Sequence, residues 1–143
     1  MIRLLTVSSL LFFIASCLNP PDYSIIPAIG FDSLSNNIAK VNEDSITIYF
    51  NFTDGDGDIG SDDIPNMFFT DSRTGYPDSF KIPNVTPGGT VKAISGEVAY
   101  TFSQFNCIPG RIKDSLFYTI YIEDRAGNKS NEIITPTITL ICQ

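Results

Sequence analysis

The sequence has no histidine and no tryptophan, and only three of its 143 residues are cysteine. Without histidine, the commonest general base and the commonest transition-metal ligand are missing. Ser-His-Asp and Cys-His nucleophilic catalysis are therefore excluded, and so are histidine-bound zinc sites. Charge is sparse and lopsided: 17% of residues are charged, 16 acidic against 9 basic, for a net charge of -7. A general nucleic-acid binder needs a basic face, so no nucleic-acid partner is expected. No apolar run is long enough to cross a bilayer, which takes about 20 residues. No stretch of useful length carries a helical period. What is present is an ordinary apolar fraction, 43% of residues, on a chain long enough for one domain with a sizeable core.

The first segment reads as an address. Met1-Ile2-Arg3 is a short basic start, and Leu4 to Ile14 is mostly apolar. This suits the apolar region of a secretory signal. Ile14-Ala15-Ser16-Cys17 follows, and small residues before a cysteine resemble the bacterial lipobox. The resemblance implies a signal peptide over residues 1–16, lipidation at Cys17, and a membrane partner held through the lipid. The alternative is a plain signal peptide or an apolar anchor helix. Leu18 stands where an Asp would favour inner-membrane retention, which points to the outer membrane. An acidic surface-export signal is missing from residues 18–22, so periplasmic and outward-facing placements both stay open. Residues 17–23, with Pro20 and Pro21 paired, form an extended tether.

The remaining chain, 24–143, reads as strands. Ile46, Ile48, Phe50 and Phe52 alternate with Thr47, Tyr49 and Asn51, the period of a half-buried strand. Leu116, Tyr118, Ile120 and Ile122 repeat the pattern, as do Ile134, Ile138, Leu140 and Cys142. Weaker candidates are Ser24–Phe31, Asn66–Thr70, Ser79–Ile82, Val91–Ile94 and Glu97–Phe105. Turn signals rich in Gly, Pro and Asn separate them. About seven short strands predict an all-β antiparallel sandwich. Met67-Phe68-Phe69 and Tyr76 fit core aromatics better than an exposed ligand patch.

Asp114, Leu116, Tyr118 and Ile120 resemble the tyrosine corner at the start of strand F in immunoglobulin-like sandwiches. Leu116 and Ile120 depart from that pattern, and Tyr118 as a plain core aromatic is the alternative. On the immunoglobulin-like reading, strand B covers 46–53, C 66–71, F 115–123 and G 131–142.

One constellation carries chemistry. Asp54-Gly55-Asp56-Gly57-Asp58-Ile59-Gly60 follows strand B directly. Three carboxylates at alternate positions repel one another unless a cation sits among them. Glycine between them lets the chain curl so that they share a centre. Hard oxygen ligands at this density suit a structural Ca²⁺, which takes 6–8 oxygens. The start matches an EF-hand loop, but Ile59 and Pro65 break the rest of that pattern. In an immunoglobulin-like sandwich the B–C and F–G loops share one end, so Asp124 is expected to join Asp54, Asp56 and Asp58. That end is expected to be the distal one, a contact surface for a partner. The alternative is a solvated turn, with Asp124 paired to Arg125 or Lys129.

The segments 52–60 and 123–131 together resemble an uncharacterised group of Bacteroidota lipoproteins with a DGDGDIG loop. They are similar, more loosely, to cadherin-like modules with calcium between loops. The resemblance implies an envelope location and a β-sandwich, and no reaction.

With Cys17 lipidated, Cys107 and Cys142 remain, an even pair in an exported chain that predicts a disulfide. Cys107 precedes strand F and Cys142 ends strand G, so both fall at the end opposite the acidic loop. Two buried free thiols are the alternative. The reading that results is a non-enzymatic envelope lipoprotein acting as an accessory or binding module, with a protein or glycan partner. A glycan-binding component of an outer-membrane saccharide-uptake system is the second reading, and a carboxylate-dependent hydrolase the third.

Overall fold

A computed structural model describes residues 21–85 and 93–142. The predicted signal peptide, Cys17, most of the tether and the start of the 91–94 strand candidate lie outside the described residues. The described chain is all-β: β1 (Ala28–Leu34), β2 (Ile38–Lys40), β3 (Ile46–Asp54), β4 (Met67–Asp71), β5 (Pro77–Phe80), β6 (Ile94–Phe102), β7 (Lys113–Leu116), β8 (Tyr118–Ile122), β9 (Ile133–Ile134) and β10 (Ile138–Ile141).

One layer is β1-β3-β6, antiparallel throughout. Facing it are β5-β4-β8-β9 and β2-β10-β7, in which only β2 and β10 run parallel. Ten elements replace the expected seven because the two last predicted strands are each broken and β2 was not foreseen. The 115–123 strand breaks at Phe117, whose backbone leaves the ladder to bond Ser72: its N–H donates to Ser72 Oγ at 3.0 Å, and its carbonyl accepts the Ser72 N–H at 3.0 Å. The 131–142 strand breaks before Pro136, which has no N–H to donate. Thr135 bridges the gap, its hydroxyl accepting the Tyr118 N–H at 3.0 Å. Across the break the register slips by one residue, since Leu116 faces Ile138 but Thr119 faces Ile134.

The core lies where alternation put it, except that Ile134, expected on the face of Ile138 and Leu140, is 62% exposed on the far side of the break. Ile46, Ile48 and Phe50 are fully buried on β3, and Ile120 and Ile122 on β8. The layers meet through aromatic rings. Phe69 on β4 touches Tyr100 and Phe102 on β6, at 5.2 and 5.3 Å between centroids. Phe102 in turn stacks on Tyr118 of β8 at 4.6 Å. Met67 and Phe69 are buried as expected; Tyr76, by contrast, is 80% exposed.

The β3 strand ends at Asp54, beside the start of β1, and β8 runs toward Asp124 at that same end. At the other end, Cys107 and Cys142 form a disulfide, with Cα atoms 6.1 Å apart. The two cysteines therefore pair at the end opposite the acidic loop, as the sequence indicates.

Candidate metal centre

Three features place the acidic loop. Ile59 is fully buried, so it anchors the loop into the core rather than occupying a calcium-loop glycine position. The Arg125 guanidinium donates to the Gly60 carbonyl at 3.0 Å, and the Arg125 N–H to the Asp58 carbonyl at 3.3 Å. The Ala126 N–H donates to Asp58 Oδ2 at 3.1 Å. The loop after β3 and the loop between β8 and β9 are therefore tied together, and Asp124 lies beside the cluster as expected.

Chain entry shares this end. The Gly55 N–H donates to the Ser24 carbonyl at 2.8 Å. A Cβ at Gly55 would collide with the Tyr23 carbonyl, so only glycine fits there. The expectation of a distal acidic loop is corrected by this contact: the loop sits where the N-terminal segment joins the domain. The cause is the antiparallel pairing of β1 with β3, which sets Ala28 opposite Thr53.

Asp54, Asp56 and Asp58 each offer a carboxylate oxygen, and these oxygens lie within 4.8 Å of one another. Asp54 is 0% exposed, and its Oδ2 accepts the Asp58 N–H at 2.9 Å. Its Oδ1 is buried with no hydrogen-bond partner among the described residues, and the same holds for Asp58 Oδ1. Burial, more than any other cause, pushes the Asp54 carboxyl above its usual value near 3.8, and the charges of Asp56 and Asp124 add to it. Burial also raises Asp58, followed by the charges of Asp124, Asp56 and Asp54. Three of the four carboxylates expected from sequence, Asp54, Asp56 and Asp58, share one place; Asp124 lies outside that group and acts on Asp54 and Asp58 through its charge.

Asp124 is 5% exposed. Its two oxygens accept the Asn128 N–H at 2.7 Å and the Asn128 side-chain amide at 2.8 Å. It does not pair with Arg125 or Lys129; Lys129 instead meets Glu132 at 2.8 Å and lies 3.9 Å over the Tyr121 ring. Each Asp124 oxygen keeps a lone pair for a cation. Asp62 points away, its Oδ1 accepting the Asn84 N–H at 3.1 Å.

The chemistry open to this arrangement is cation binding. Oxygens that share one Ca²⁺ at 2.3–2.6 Å lie no more than about 5 Å apart. Unpaired buried acceptors are costly, and a hard divalent cation satisfies them and cancels the repulsion together.

Sequence reasoning missed a second polar cluster, at the disulfide end. Arg73 Nη2 meets Asp71 at 2.7 Å, and its Nη1 meets Asp114 at 2.9 Å. Asp114 also receives Arg111 at 2.9 Å and the N–H groups of Ile108 and Ser115. Asp114 was legible only as part of a tyrosine corner. The Tyr118 hydroxyl makes no hydrogen bond among the described residues, so the corner is not formed and Tyr118 is a core aromatic, 5% exposed. The signal available in sequence was Asp71-Ser72-Arg73 closing a strand.

This cluster sets an acid limit. The Ile108 N–H, with Arg73 and the Ser115 N–H, holds the Asp114 carboxyl down from 3.8 to about 2. A depressed carboxyl stabilises the fold above the unfolded value and loses that contribution as pH falls through the folded value. Urea midpoints should therefore drop between pH 3.8 and about 2, and Asp114→Asn should flatten that part of the curve. An unchanged slope in the variant would refute the assignment.

Compared with models of known protein families and with curated proteins, the chain matches none of them.

Proposed function

We propose that this chain is a non-enzymatic cell-envelope lipoprotein whose immunoglobulin-like domain is an accessory or binding module stabilised by one structural Ca²⁺. The observation that carries the proposal is the pair of buried, unpartnered oxygens, Asp54 Oδ1 and Asp58 Oδ1, in a cluster with Asp56. Asp54, Asp56 and Asp58 would hold the ion, with Asp124 completing the cage from the neighbouring loop. The ion would neutralise the cluster and lock the two loops together; it would do no chemistry on a substrate. Carboxylate oxygens within 4.8 Å form a cage. The glycosidase arrangement instead sets two carboxyls about 5–9.5 Å apart across a cleft.

Strand pairing supports the immunoglobulin-like assignment. In that scheme β3 is B, β6 is E, β4 is C, β7 and β8 form F, and β9 and β10 form G. The B–E and C–F–G neighbours follow, and β2 beside β10 is the parallel pair of A′ with G.

The lipobox-like Ile14-Ala15-Ser16-Cys17 supports export and anchoring at the outer membrane. Several acyl chains, at about 0.8 kcal/mol per buried CH₂, hold a protein firmly on a bilayer. With the chain anchored at Cys17, the acidic loop faces the membrane side, and the disulfide end faces outward.

Two experiments test the proposal. A Ca²⁺-specific gain in thermal stability tests the metal. Fractionation of cells carrying Cys17→Ala tests the anchor: the wild-type chain should sediment with membranes and the variant should not. A variant that stays membrane-bound would contradict lipidation at Cys17.

A further inference from the structure

At the disulfide end, a cavity of about 420 Å³ opens between the turn after β4 and the segment after β6. Its inner wall is Phe102 stacked on Tyr118, and its rim carries Tyr76, Asp78 and Gln104. Tyr118 is 5% exposed, and its hydroxyl has no hydrogen-bond partner among the described residues. The hydroxyl is not among the buried oxygens that lack a partner, so it opens to solvent at the cavity wall.

The charges at the cavity differ in how far they are committed. The Arg73 guanidinium is spent: it donates to Asp71 at 2.7 Å, to Asp114 at 2.9 Å and to the Asn106 carbonyl at 2.8 Å. Asp71 is spent in turn on Arg73, accepting its backbone N–H at 2.8 Å as well. Asp78 is exposed on β5, and its carboxylate has no ion pair or hydrogen bond among the described residues. The free charge at the cavity is therefore negative. Asp78 and Tyr118 line the same cavity, and after burial the charges of Asp71 and then Asp78 raise the Tyr118 hydroxyl. An anion would meet Asp78 and no free cation. A cation would meet Asp78, the lone pairs of the Tyr118 hydroxyl, and the exposed ring of Tyr76.

We propose that this cavity binds a small organic ammonium ion, with Asp78 supplying the countercharge, Tyr76 a cation–π face and Tyr118 a hydrogen-bond acceptor. The site is independent of the metal loop, which lies at the other end of the sandwich. Its position is that of an outward-facing recognition site on an anchored domain.

The test is an amide chemical-shift titration of the full chain with choline, against its neutral isostere 3,3-dimethyl-1-butanol and against glucose. Choline at millimolar concentration should shift resonances in 71–78 and 102–106 and leave the acidic loop unmoved. Asp78→Asn and Tyr76→Ala should each weaken binding severalfold. Both positions are exposed, so neither variant threatens the fold. Asp32→Asn, which removes an exposed carboxylate elsewhere, should change nothing. Equal shifts with the neutral isostere, shifts only with glucose, no shifts with choline, or an unaffected Asp78→Asn variant would each overturn the proposal.

Discussion

Reduction of the Cys107–Cys142 bridge should lower the stability of the domain by about 4 kcal/mol. The bridge closes a loop with a sequence separation of 35, and the chain-entropy relation gives that loss for a loop of this size. The expected fall in Tm is roughly 10–20 °C for a domain of this length. The effect should be large because the bridge joins two otherwise weakly held segments. Cys142 follows β10 at the chain's C-terminal end, held by one backbone bond from its N–H to the Ile112 carbonyl at 3.0 Å. Cys107 sits in an irregular stretch between β6 and β7. The same stretch carries the Asn106 carbonyl and the Ile108 N–H that complete the Arg73 and Asp114 network. Loosening it should therefore also weaken the acid tolerance that Asp114 provides. Thermal melts with and without reductant, at neutral pH, check the magnitude; a change under 1 kcal/mol would mean that the segment is held without the bridge.

Calcium should shift stability nearly as far, from the other end of the molecule. A ligand that binds only the folded state, at 100 times its dissociation constant, stabilises by about 2.7 kcal/mol. Here the effect has two physical sources. A bound ion would supply partners for Asp54 Oδ1 and Asp58 Oδ1, which are buried without any among the described residues. It would also cancel the repulsion that, after burial, raises both carboxyls. Mg²⁺ should give a much smaller shift, because it demands a tight octahedron and sheds its waters reluctantly. The stabilisation should reach the N-terminal segment, since the Ser24 carbonyl bonds Gly55 inside the loop. Protection of the Gly55 amide from exchange should rise with Ca²⁺.

Much of the fold was legible because strand alternation is a local signal. Ile46, Ile48, Phe50 and Phe52 announce a strand, and their side chains are buried as one face. The acidic cluster was legible for the same reason: its three aspartates lie within five residues. Asp124 was reached only by assuming which loops share an end; the structure sets it near enough for its charge to act on Asp54 and Asp58, but outside the group of three. What sequence did not reveal depends on long-range pairing. The breaks at Phe117 and Pro136 follow from competition by Ser72 and Thr135, residues whose partners lie far along the chain or in the opposite strand. The end of the sandwich that carries the acidic loop is set by the pairing of β1 with β3, which no local pattern states. Asp114 was misread for a related reason. Its main side-chain partner, Arg73, is 41 residues away.

The measurement that tests the metal-stabilised sandwich most directly is a set of four thermal melts: wild type and Asp54→Asn, each in EDTA and in millimolar Ca²⁺. In EDTA the substitution removes a buried, repelled charge, so the variant should melt at or above the wild type. In Ca²⁺ the wild type should rise by several degrees and the variant should not, reversing the order. A wild type that melts at the same temperature in both solutions would contradict the account and leave the acidic loop a turn without an ion.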